Sequence, residues 1–344
     1  MHSHPATGTP HTPGPRRQRV CVLGATGTIG RATVAALVRR GHEVVCLVRV
    51  RAGVGGSLSP EDNARLLHGA TVKYVDAADP VSLRRDGFDG GRFDAVVSCM
   101  ASRTGVPKDA WAVDHRAHMN VLDAAKQLGV GHFVLVSAIC VQRPLLAFQL
   151  AKLAFEKALI SSGMRYSIVR PTAFFKSLSG QIERVRNGRP YLIFGDGTLT
   201  ACKPISDADL AEYIVGCLDD ESRWHRILPI GGPGPAITPR QQGEKLFELL
   251  GRPARFRSVP LALLDVITAG LGAVGRIVPS LAEKSELARI ARYYATESML
   301  VLDPRTGLYD AEATPSTGSE TLFDFYRSVL GGGASPERGD HAIF

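Results

Sequence analysis

A short glycine-rich loop constrains this chain more than any other feature of its sequence. Residues 20–23 are all apolar, and Gly-Ala-Thr-Gly-Thr-Ile-Gly follows at 24–30 and leads into a helical pattern. In such a strand–loop–helix unit the first glycine permits a tight turn, the second lets the backbone approach a pyrophosphate, and the third allows close helix–strand packing. The helix N-terminus then offers free N–H groups to the phosphates. The loop therefore predicts a dinucleotide site whose contacts are Gly24, Thr26, Gly27, Thr28, Ile29 and Gly30.

Apolar strand-like runs alternate with amphipathic helical stretches through the first half of the chain. The runs are nearly continuous in Val, Leu, Ile and Cys, which is expected of parallel strands covered on both faces. Strands separated by helices of this length are joined by right-handed crossovers. We therefore predict an α/β fold, a doubly wound parallel sheet of the Rossmann type with a smaller, partly interleaved C-terminal substrate lobe. The predicted strands are 20–23, 44–48, 71–75, 95–98, 133–137 and 166–169, and the predicted helices are 29–40, 61–68, 114–128 and 149–162.

The alternation loosens after about residue 175, where the smaller lobe is expected to begin. The Gly-Asp-Gly inside 191–201 predicts a β-hairpin. Asp207 is expected to cap a helix over 208–218. Thr238, followed by proline, predicts the start of a helix that ends before Gly251. The predicted divisions are a disordered tail at 1–17, a dinucleotide-binding domain at 18–178 with returns around 200–231, a substrate lobe at 179–330, and a mobile tail at 331–344.

The residues that follow the second and third strands indicate which dinucleotide binds. An NAD site usually places an acidic residue about 20 residues after the glycine loop, to hold the ribose 2′-hydroxyl. This chain instead has Arg49, with Arg51 close by. A guanidinium matches a 2′-phosphate in charge and geometry, so NADPH is the predicted cofactor; a solvated arginine at a strand end is the alternative. Asp76 is a candidate partner for the adenine amino group, or simply a turn-forming residue.

Composition excludes several classes of protein. The chain has 344 residues, 44% of them hydrophobic and 22% charged, which is unlike a disordered regulator or a collagen-like fibre. The formal charge of +8 admits nucleic acid, an anionic membrane surface or a small anion as partner. The six cysteines are not clustered, so we predict reduced core thiols and no protein-bound metal. Neither a signal peptide nor a membrane-spanning helix is predicted.

Several longer segments resemble one enzyme family. The glycine loop and Arg-Pro-Thr at 170–172 are similar to those of atypical short-chain dehydrogenases/reductases. Within that superfamily the chain resembles the divinyl chlorophyllide a 8-vinyl reductases of (bacterio)chlorophyll synthesis. The resemblance implies NADPH-dependent reduction of a vinyl group of a magnesium tetrapyrrole to ethyl, the magnesium belonging to the substrate. The segments that carry it lie at 136–141, 148–152, 170–178, 195–206 and 228–234.

One departure from the superfamily pattern agrees with that chemistry. Typical members carry Tyr-x-x-x-Lys, in which the tyrosine protonates a carbonyl oxygen. Here Lys152 holds the lysine position, but Phe148 stands where the tyrosine would be. Vinyl reduction forms no alkoxide that needs a phenol. The resemblance gives Lys152 and Ser137 catalytic roles, with Lys152 also binding the nicotinamide ribose; the alternative for Lys152 is an ion pair with Glu156, four residues on.

The proton donor and the substrate contacts are less constrained. Tyr166, Tyr191 and water are candidates for the donor. An apolar slot with a few cations would suit a tetrapyrrole that carries a carboxylate. The candidate substrate residues are Phe148, Phe174, Phe175, Lys176 and Lys203, with Arg143 as a further cation.

Residues 259–281 form the most apolar stretch of the lobe. Charged residues, prolines and glycines within it argue against a bilayer span. It is either a packed helix pair, or an apolar lid or membrane-facing patch. The expected location is cytoplasmic, with peripheral contact to photosynthetic membranes as an alternative. Two other functions stay open: a non-catalytic NADP(H)-binding sensor or assembly factor, and an isoflavone-reductase-like enzyme acting on another C=C bond.

Overall fold

A seven-stranded parallel sheet forms the centre of the molecule in the computed structural model, which describes residues 16–50, 58–89, 91–275 and 279–333. The strand order is β3-β2-β1-β4-β5-β6-β8, and every neighbouring pair is parallel. The chain winds outward from β1 in both directions, so the predicted doubly wound Rossmann fold is confirmed. The strands of this sheet are β1 (Arg19–Leu23), β2 (Glu43–Val48), β3 (Thr71–Tyr74), β4 (Ala95–Ser98), β5 (His132–Val136), β6 (Arg165–Pro171) and β8 (Arg226–Ile230). The short strand β7 (Tyr191–Phe194), which lies between β6 and β8 in the chain, belongs to the lobe.

Helices cover both faces of this sheet and build the smaller lobe. Apolar residues of α1 and α8 pack on one face, and those of α5 and α6 pack on the other. A third apolar cluster fills the lobe. The helices are α1 (Thr28–Arg39), α2 (Pro60–Leu66), α3 (Pro80–Ser82), α4 (Pro107–Ala110), α5 (His118–Gln127), α6 (Ala147–Ile160), α7 (Ile182–Arg186), α8 (Asp207–Gly216), α9 (Pro239–Leu249), α10 (Leu261–Gly275), α11 (Pro279–Thr296) and α12 (Leu322–Leu330).

The helix expected at 114–128 begins earlier than predicted. It starts at Pro107, the first residue of α4, and passes through a wider π-helical turn at Trp111–Ala117 before α5. Proline suits the first turn of a helix because its missing N–H has no partner to lose there. The wider turn carries Asp114, whose side chain enters the candidate site described below.

The hairpin predicted over 191–201 is wrong. β7 ends at Phe194, and its neighbour is β9 (Phe256–Val259), which runs parallel to it. Gly195 and Gly197 do have the positive φ values of a turn, at 59° and 81°, but this turn leads the chain away from β7 instead of folding it back. The local glycine pattern predicted the turn, whereas the partner strand comes from some sixty residues further along the chain.

The two helix caps predicted in the lobe had different outcomes. Thr238 caps α9 as expected, with its hydroxyl accepting the Gln241 N–H. The prediction for α8 was wrong by one residue. Ser206 is the cap and accepts the Asp209 N–H, while Asp207 is the first helical residue, where its charge still faces the positive end of the helix dipole.

Residues 259–281 contain the end of β9, all of α10 and the start of α11. α10 and α11 pack against each other as a helix pair, the first of the two alternatives. The outer side of α10 exposes apolar residues, among them Leu263 and Val266 at 49% and 69% exposure. Within the described ranges, no helix is both long and apolar enough to span a bilayer. The two short strands β10 (Val301–Leu302) and β11 (Tyr309–Asp310) complete the lobe as an antiparallel pair.

All six cysteines are free thiols, and five of them are buried. Burial in apolar surroundings raises the pKa of Cys46 and of Cys202 to about 12. A thiol with so high a pKa stays protonated and unreactive at neutral pH. The expected core position is confirmed for the five buried cysteines, whereas Cys99 is only partly buried.

Candidate active site

The glycine loop lies at the carboxyl edge of the sheet, between β1 and α1. Gly24 has φ 69°, and a Cβ on it would lie 2.6 Å from the backbone of Cys99. A Cβ on Gly30 would lie 2.0 Å from the Gly24 carbonyl oxygen, so any side chain there would push α1 off the loop. These contacts show why glycine is required at the first and third positions. Thr26, Gly27, Thr28 and Ile29, the other predicted contacts, lie in the same loop and in the first turn of α1.

The N-terminus of α1 is suited to an anion. Gly27 is its N-cap, no side chain accepts its first N–H groups, and its first turn contains no acidic residue. The Lys176 Nζ atom lies 3.1 Å from the Thr28 Oγ1 atom, so an ammonium group stands beside the same turn. Free N–H groups, the helix dipole and this cation together favour a phosphate group. Lys176, predicted as a substrate contact, therefore lies next to the glycine loop.

The residues predicted to select the dinucleotide lie at the ends of β2 and β3. Arg49 follows the last residue of β2, and its side chain is exposed. Arg51 lies outside the described residues. Asp76 lies just beyond β3, and its Oδ1 atom accepts the Ala78 N–H at 2.9 Å. Asp76 therefore forms an Asx turn, which leaves its second carboxylate oxygen for other contacts.

Lys152 is held by a buried carboxylate. Its Nζ atom lies 2.9 Å from the Oδ1 atom of Asp114, and the side chains are 11% and 0% exposed. The Ser102 N–H also donates to this carboxylate, at 3.1 Å. The ion pair with Glu156, offered by the sequence as the alternative, does not form. Lys152 and Asp114 come from α6 and from the wide turn before α5, so tertiary packing decides the pairing.

Glu156, one helical turn after Lys152 on α6, instead forms the centre of a second polar cluster. It accepts a hydrogen bond from the Ser137 hydroxyl and forms an ion pair with Arg170, whose Nε atom lies 3.2 Å from the Oε1 atom. All three groups are mostly buried. The Ser137 proton is therefore engaged by Glu156, and the Ser137 oxygen remains an acceptor.

The aromatic candidates lie in different surroundings. Phe148 is 9% exposed, and its ring lies beside Gly105, where a Cβ would be 3.4 Å from it. Ile290 of α11 reaches the same point, so the C-terminal lobe closes over Phe148. Phe174 is half-buried and packs against the sheet-side core. Phe175 is 3% exposed and packs against Phe325 in the lobe core, which argues against a direct substrate contact.

The remaining candidate cations already have partners. Lys203 donates from Nζ to the Thr314 carbonyl oxygen at 3.0 Å. Arg143 forms an ion pair with Glu297 at 3.0 Å between Nη1 and Oε2. The Arg143 ion pair joins the segment before α6 to the end of α11, and the half-exposed Arg143 guanidinium keeps donors for a further anion.

Neither candidate tyrosine lies at the carboxyl edge of the sheet. Tyr166 is the second residue of β6, so it lies near the amino end, and its ring packs against His225. Tyr191 is buried in the lobe, where its hydroxyl donates to Gln242 Oε1 at 3.3 Å. Burial raises the pKa of Tyr191 well above its usual value, which makes its proton harder to release.

Three buried polar features escaped the sequence analysis. Asp114, the Glu156–Arg170 pair and the buried Ser98–His118 pair depend on contacts between residues far apart in sequence. The Ser98 hydroxyl donates to Nε2 of His118 at 2.8 Å, and Nδ1 donates to the Val113 carbonyl at 2.8 Å. The available signal was the spacing of Asp114 and His118, which lie four residues apart in the predicted helix and on the same side as the apolar Val121.

The strand order, the glycine loop and the uncapped α1 N-terminus define a Rossmann-type NAD(P)-binding protein. A family model described as NAD(P)H-binding matches residues 24–221. The NADPH-dependent quinone oxidoreductase of Escherichia coli, solved with NADPH, has the same fold, with a TM-score of 0.64 at 18% identity over 90% of this chain and 99% of that one.

Two curated relatives extend the comparison to nearly the whole chain. The chloroplastic divinyl chlorophyllide a 8-vinyl-reductase of Oryza sativa subsp. indica is 51% identical over 96% of this chain and 83% of its own length. That of Zea mays is 50% identical over 94% and 82%. The chain belongs to the divinyl chlorophyllide a 8-vinyl-reductase family, and it is an oxidoreductase that uses a nicotinamide cofactor.

Proposed function

We propose that this protein reduces the 8-vinyl group of divinyl chlorophyllide a, or of a close divinyl precursor, to ethyl with NADPH. The observation that carries the proposal is a mostly buried lysine, Lys152, at the lysine position of the Tyr-x-x-x-Lys pattern, with Phe148 in place of the phenol that carbonyl reduction needs. Lys152 is 11% exposed and paired with Asp114, and Phe148 lies one turn before it on α6. Relatives named as 8-vinyl reductases, half identical over nearly the whole chain, support an active enzyme over a non-catalytic sensor or assembly factor.

The residues at the glycine loop fit NADPH. The first turn of α1 would hold the pyrophosphate, with its N–H groups and with Lys176, whose ammonium lies beside Thr28. Arg49 would pair with the 2′-phosphate, and its exposed side chain has room to do so. NADPH, when bound, supplies the hydride that one vinyl carbon receives. We therefore assign Lys176 to the cofactor phosphates in place of the substrate.

Lys152 is proposed to bind the nicotinamide ribose and to stabilise negative charge near the reacting carbon. Hydride addition to a vinyl group leaves charge that spreads into the conjugated macrocycle, and an ammonium held nearby stabilises that charge. Asp114 positions Lys152, because the carboxylate is itself fixed by the Ser102 N–H. Ser137 is proposed to orient water or cofactor, since its own proton is donated to Glu156.

The second hydrogen of the new ethyl group arrives as a proton. Because Tyr166 and Tyr191 lie away from the carboxyl edge, we propose that water delivers this proton, with Lys152 as the relay. The addition of one hydride and one proton converts the vinyl group to ethyl, and the pair of electrons comes wholly from the reduced cofactor. A phenol has no part in this sequence.

The proposed substrate slot lies where the lobe closes over Phe148. Phe148 and Phe174 supply apolar surface, and Lys203 and Arg143 are the candidate cations for the substrate carboxylate. The exposed apolar side of α10 is proposed as a peripheral contact with pigment-containing membranes, since the substrate is amphiphilic.

Product formation tests the proposal. Purified protein is incubated with NADPH and divinyl chlorophyllide a, and the Soret band is followed while the product is separated by chromatography. We expect a blue shift and a monovinyl product. Absence of monovinyl product from every divinyl precursor offered would contradict the proposal.

A further inference from the structure

Two arginine-rich segments far apart in sequence lie side by side in the lobe. Residues 184–189 read Arg-Val-Arg-Asn-Gly-Arg, and residues 252–257 read Arg-Pro-Ala-Arg-Phe-Arg. The first segment leads into β7 and the second into β9, and these two strands are paired in parallel. The Tyr191 N–H donates to the Arg255 carbonyl oxygen at 2.8 Å, which joins the two segments at their ends. Strand pairing therefore brings the two segments together, and three of their six arginines line one cleft between them.

An open cleft of about 430 Å³ lies between the two segments. Its volume suits a small molecule or the head of a larger one. The buried ring of Phe247 forms part of its floor. The lining residues are Arg186, Asn187, Gly188, Phe247, Arg252, Pro253 and Arg255.

Backbone carbonyl groups hold two of these arginines in place. Arg252 donates from Nη1 to the carbonyl oxygens of Val185 and Arg186, at 3.3 and 3.0 Å. Arg186 donates from Nη2 to the Val329 carbonyl oxygen at 2.9 Å. The guanidinium groups are therefore fixed around the cleft before any ligand arrives, which reduces the entropy lost on binding.

The positive charge of the cleft is little compensated. The two segments contain no acidic residue, and the adjacent Glu183 pairs with Arg186 alone. Within the described parts of the chain, no ion pair neutralises Arg255, which lines the cleft, or Arg189, which directly follows the lining residue Gly188, and both side chains are exposed. The three cations that line the cleft, Arg186, Arg252 and Arg255, are all arginines, and the planar fork of a guanidinium matches the oxygens of a phosphate group.

We propose that this cleft, here called the arginine cleft, binds a phosphate-bearing anion. The site is separate from the glycine loop, since its residues come from α7, α9 and the segments before β7 and β9. It is independent of the proposed reaction, because none of its residues belongs to the proposed catalytic or cofactor site. The ligand is either the headgroup of an anionic lipid or a soluble phosphate compound.

Two binding measurements separate these sources. The full chain, saturated with NADPH to occupy the cofactor site, is titrated with inorganic pyrophosphate in a calorimeter. The same protein is sedimented with vesicles of phosphatidylcholine alone or mixed with phosphatidylglycerol. The test variant is Arg189→Glu with Arg255→Glu, because neither side chain is used in the hydrogen bonds that hold the cleft. The control is Arg92→Glu with Arg226→Glu, two exposed arginines, one just before β4 and one at the first position of β8, that give the same change in net charge.

We expect wild-type protein to bind one of the two probes, the test variant to bind it at least 10-fold more weakly, and the control to bind it as wild type does. Binding to mixed vesicles alone assigns the cleft to a lipid headgroup, and binding to pyrophosphate assigns it to a soluble phosphate. The proposal is wrong if neither probe binds, or if the test and control variants weaken binding equally. Vinyl reductase activity should be the same in all three proteins, so failure here leaves the proposed function standing.

Discussion

The Lys152 ammonium group is held by the carboxylate of Asp114, 38 residues earlier in the chain, and not by Glu156, its neighbour on α6. The sequence singled out Lys152 because of the residue pattern around it, but helical spacing offered Glu156 as the partner. Glu156 is taken by Arg170 and Ser137, and Asp114 reaches Lys152 because a wide helical turn presents it. Pairs of this kind depend on packing between elements, and a single sequence carries little sign of them.

Replacing Lys152 tests its proposed role. Lys152→Ala should reduce kcat by about 100-fold or more, because a preorganised charge near the reacting carbon is lost. Steady-state kinetics with NADPH and divinyl chlorophyllide a measure the effect. Lys157→Ala, on the exposed side of the same helix, is the matched control and should keep wild-type kinetics. Wild-type turnover by Lys152→Ala would make the lysine a structural residue.

Arg49 decides the proposed preference for NADPH. Arg49→Asp should weaken NADPH binding by about 10- to 100-fold, since a charge-assisted hydrogen bond to the 2′-phosphate is replaced by repulsion. NADH binding should change little. Fluorescence titration with each nucleotide gives both dissociation constants, and Lys126→Asp on the exposed side of α5 controls for net charge. Equal losses for both nucleotides would contradict a 2′-phosphate contact.

At the scale of elements, local signals in the sequence predicted the starts of helices and the positions of turns better than they predicted which strands pair. The Thr238-Pro239 pair marked the start of α9 correctly, because capping depends on residues within one turn. The glycines after β7 marked a turn correctly, but β7 pairs with β9 across the intervening α8 and α9. Strand partners in the lobe could not be predicted because nothing in a four-residue strand specifies a distant neighbour.

The cap of α8 provides a stability test at this scale. Ser206→Ala should lower the free energy of unfolding by about 1 kcal/mol, because the Asp209 N–H loses its acceptor. Asp207→Ala should cost less, since that side chain contributes only through the helix dipole. Urea denaturation of the two variants gives the comparison. A larger loss for Asp207→Ala would restore Asp207 as the cap.

At the scale of the whole molecule, the alternation of strands and helices sufficed to predict the sheet. The predicted strand β4 has the observed bounds, and the other five begin and end within two residues of the observed ones. The seventh strand, β8, was expected only as a return of the chain around 200–231. It joins the sheet beside β6 after the chain has passed through the lobe. Because so many residues separate β8 from β6, the alternation of strands and helices did not predict this strand.

Two buried histidines should make the stability of the whole fold depend on pH. Desolvation lowers the pKa of His118 and of His132 from 6.5 to about 4. Between these values the unfolded chain binds more protons than the folded one, so stability is complete above pH 6.5 and falls as the pH drops toward 4. Each histidine contributes on the order of 3 kcal/mol to this loss.

Denaturant titrations at pH 7 and pH 5 measure that dependence. His118→Gln should reduce the difference in unfolding free energy between the two pH values, because the titrating group is gone. His68→Gln, at an exposed position, is the control and should leave the difference unchanged. An undiminished difference in His118→Gln would mean that other groups cause the acid sensitivity.

Transfer of a labelled hydride tests the central claim most directly. The protein is incubated with divinyl chlorophyllide a and with NADPH that carries deuterium at the transferable position of the nicotinamide, and the product is analysed by mass spectrometry. We predict a monovinyl product that is heavier by a single deuterium, with the label in the new 8-ethyl group. A monovinyl product without the label, or no monovinyl product from any divinyl precursor, would contradict hydride transfer by this chain.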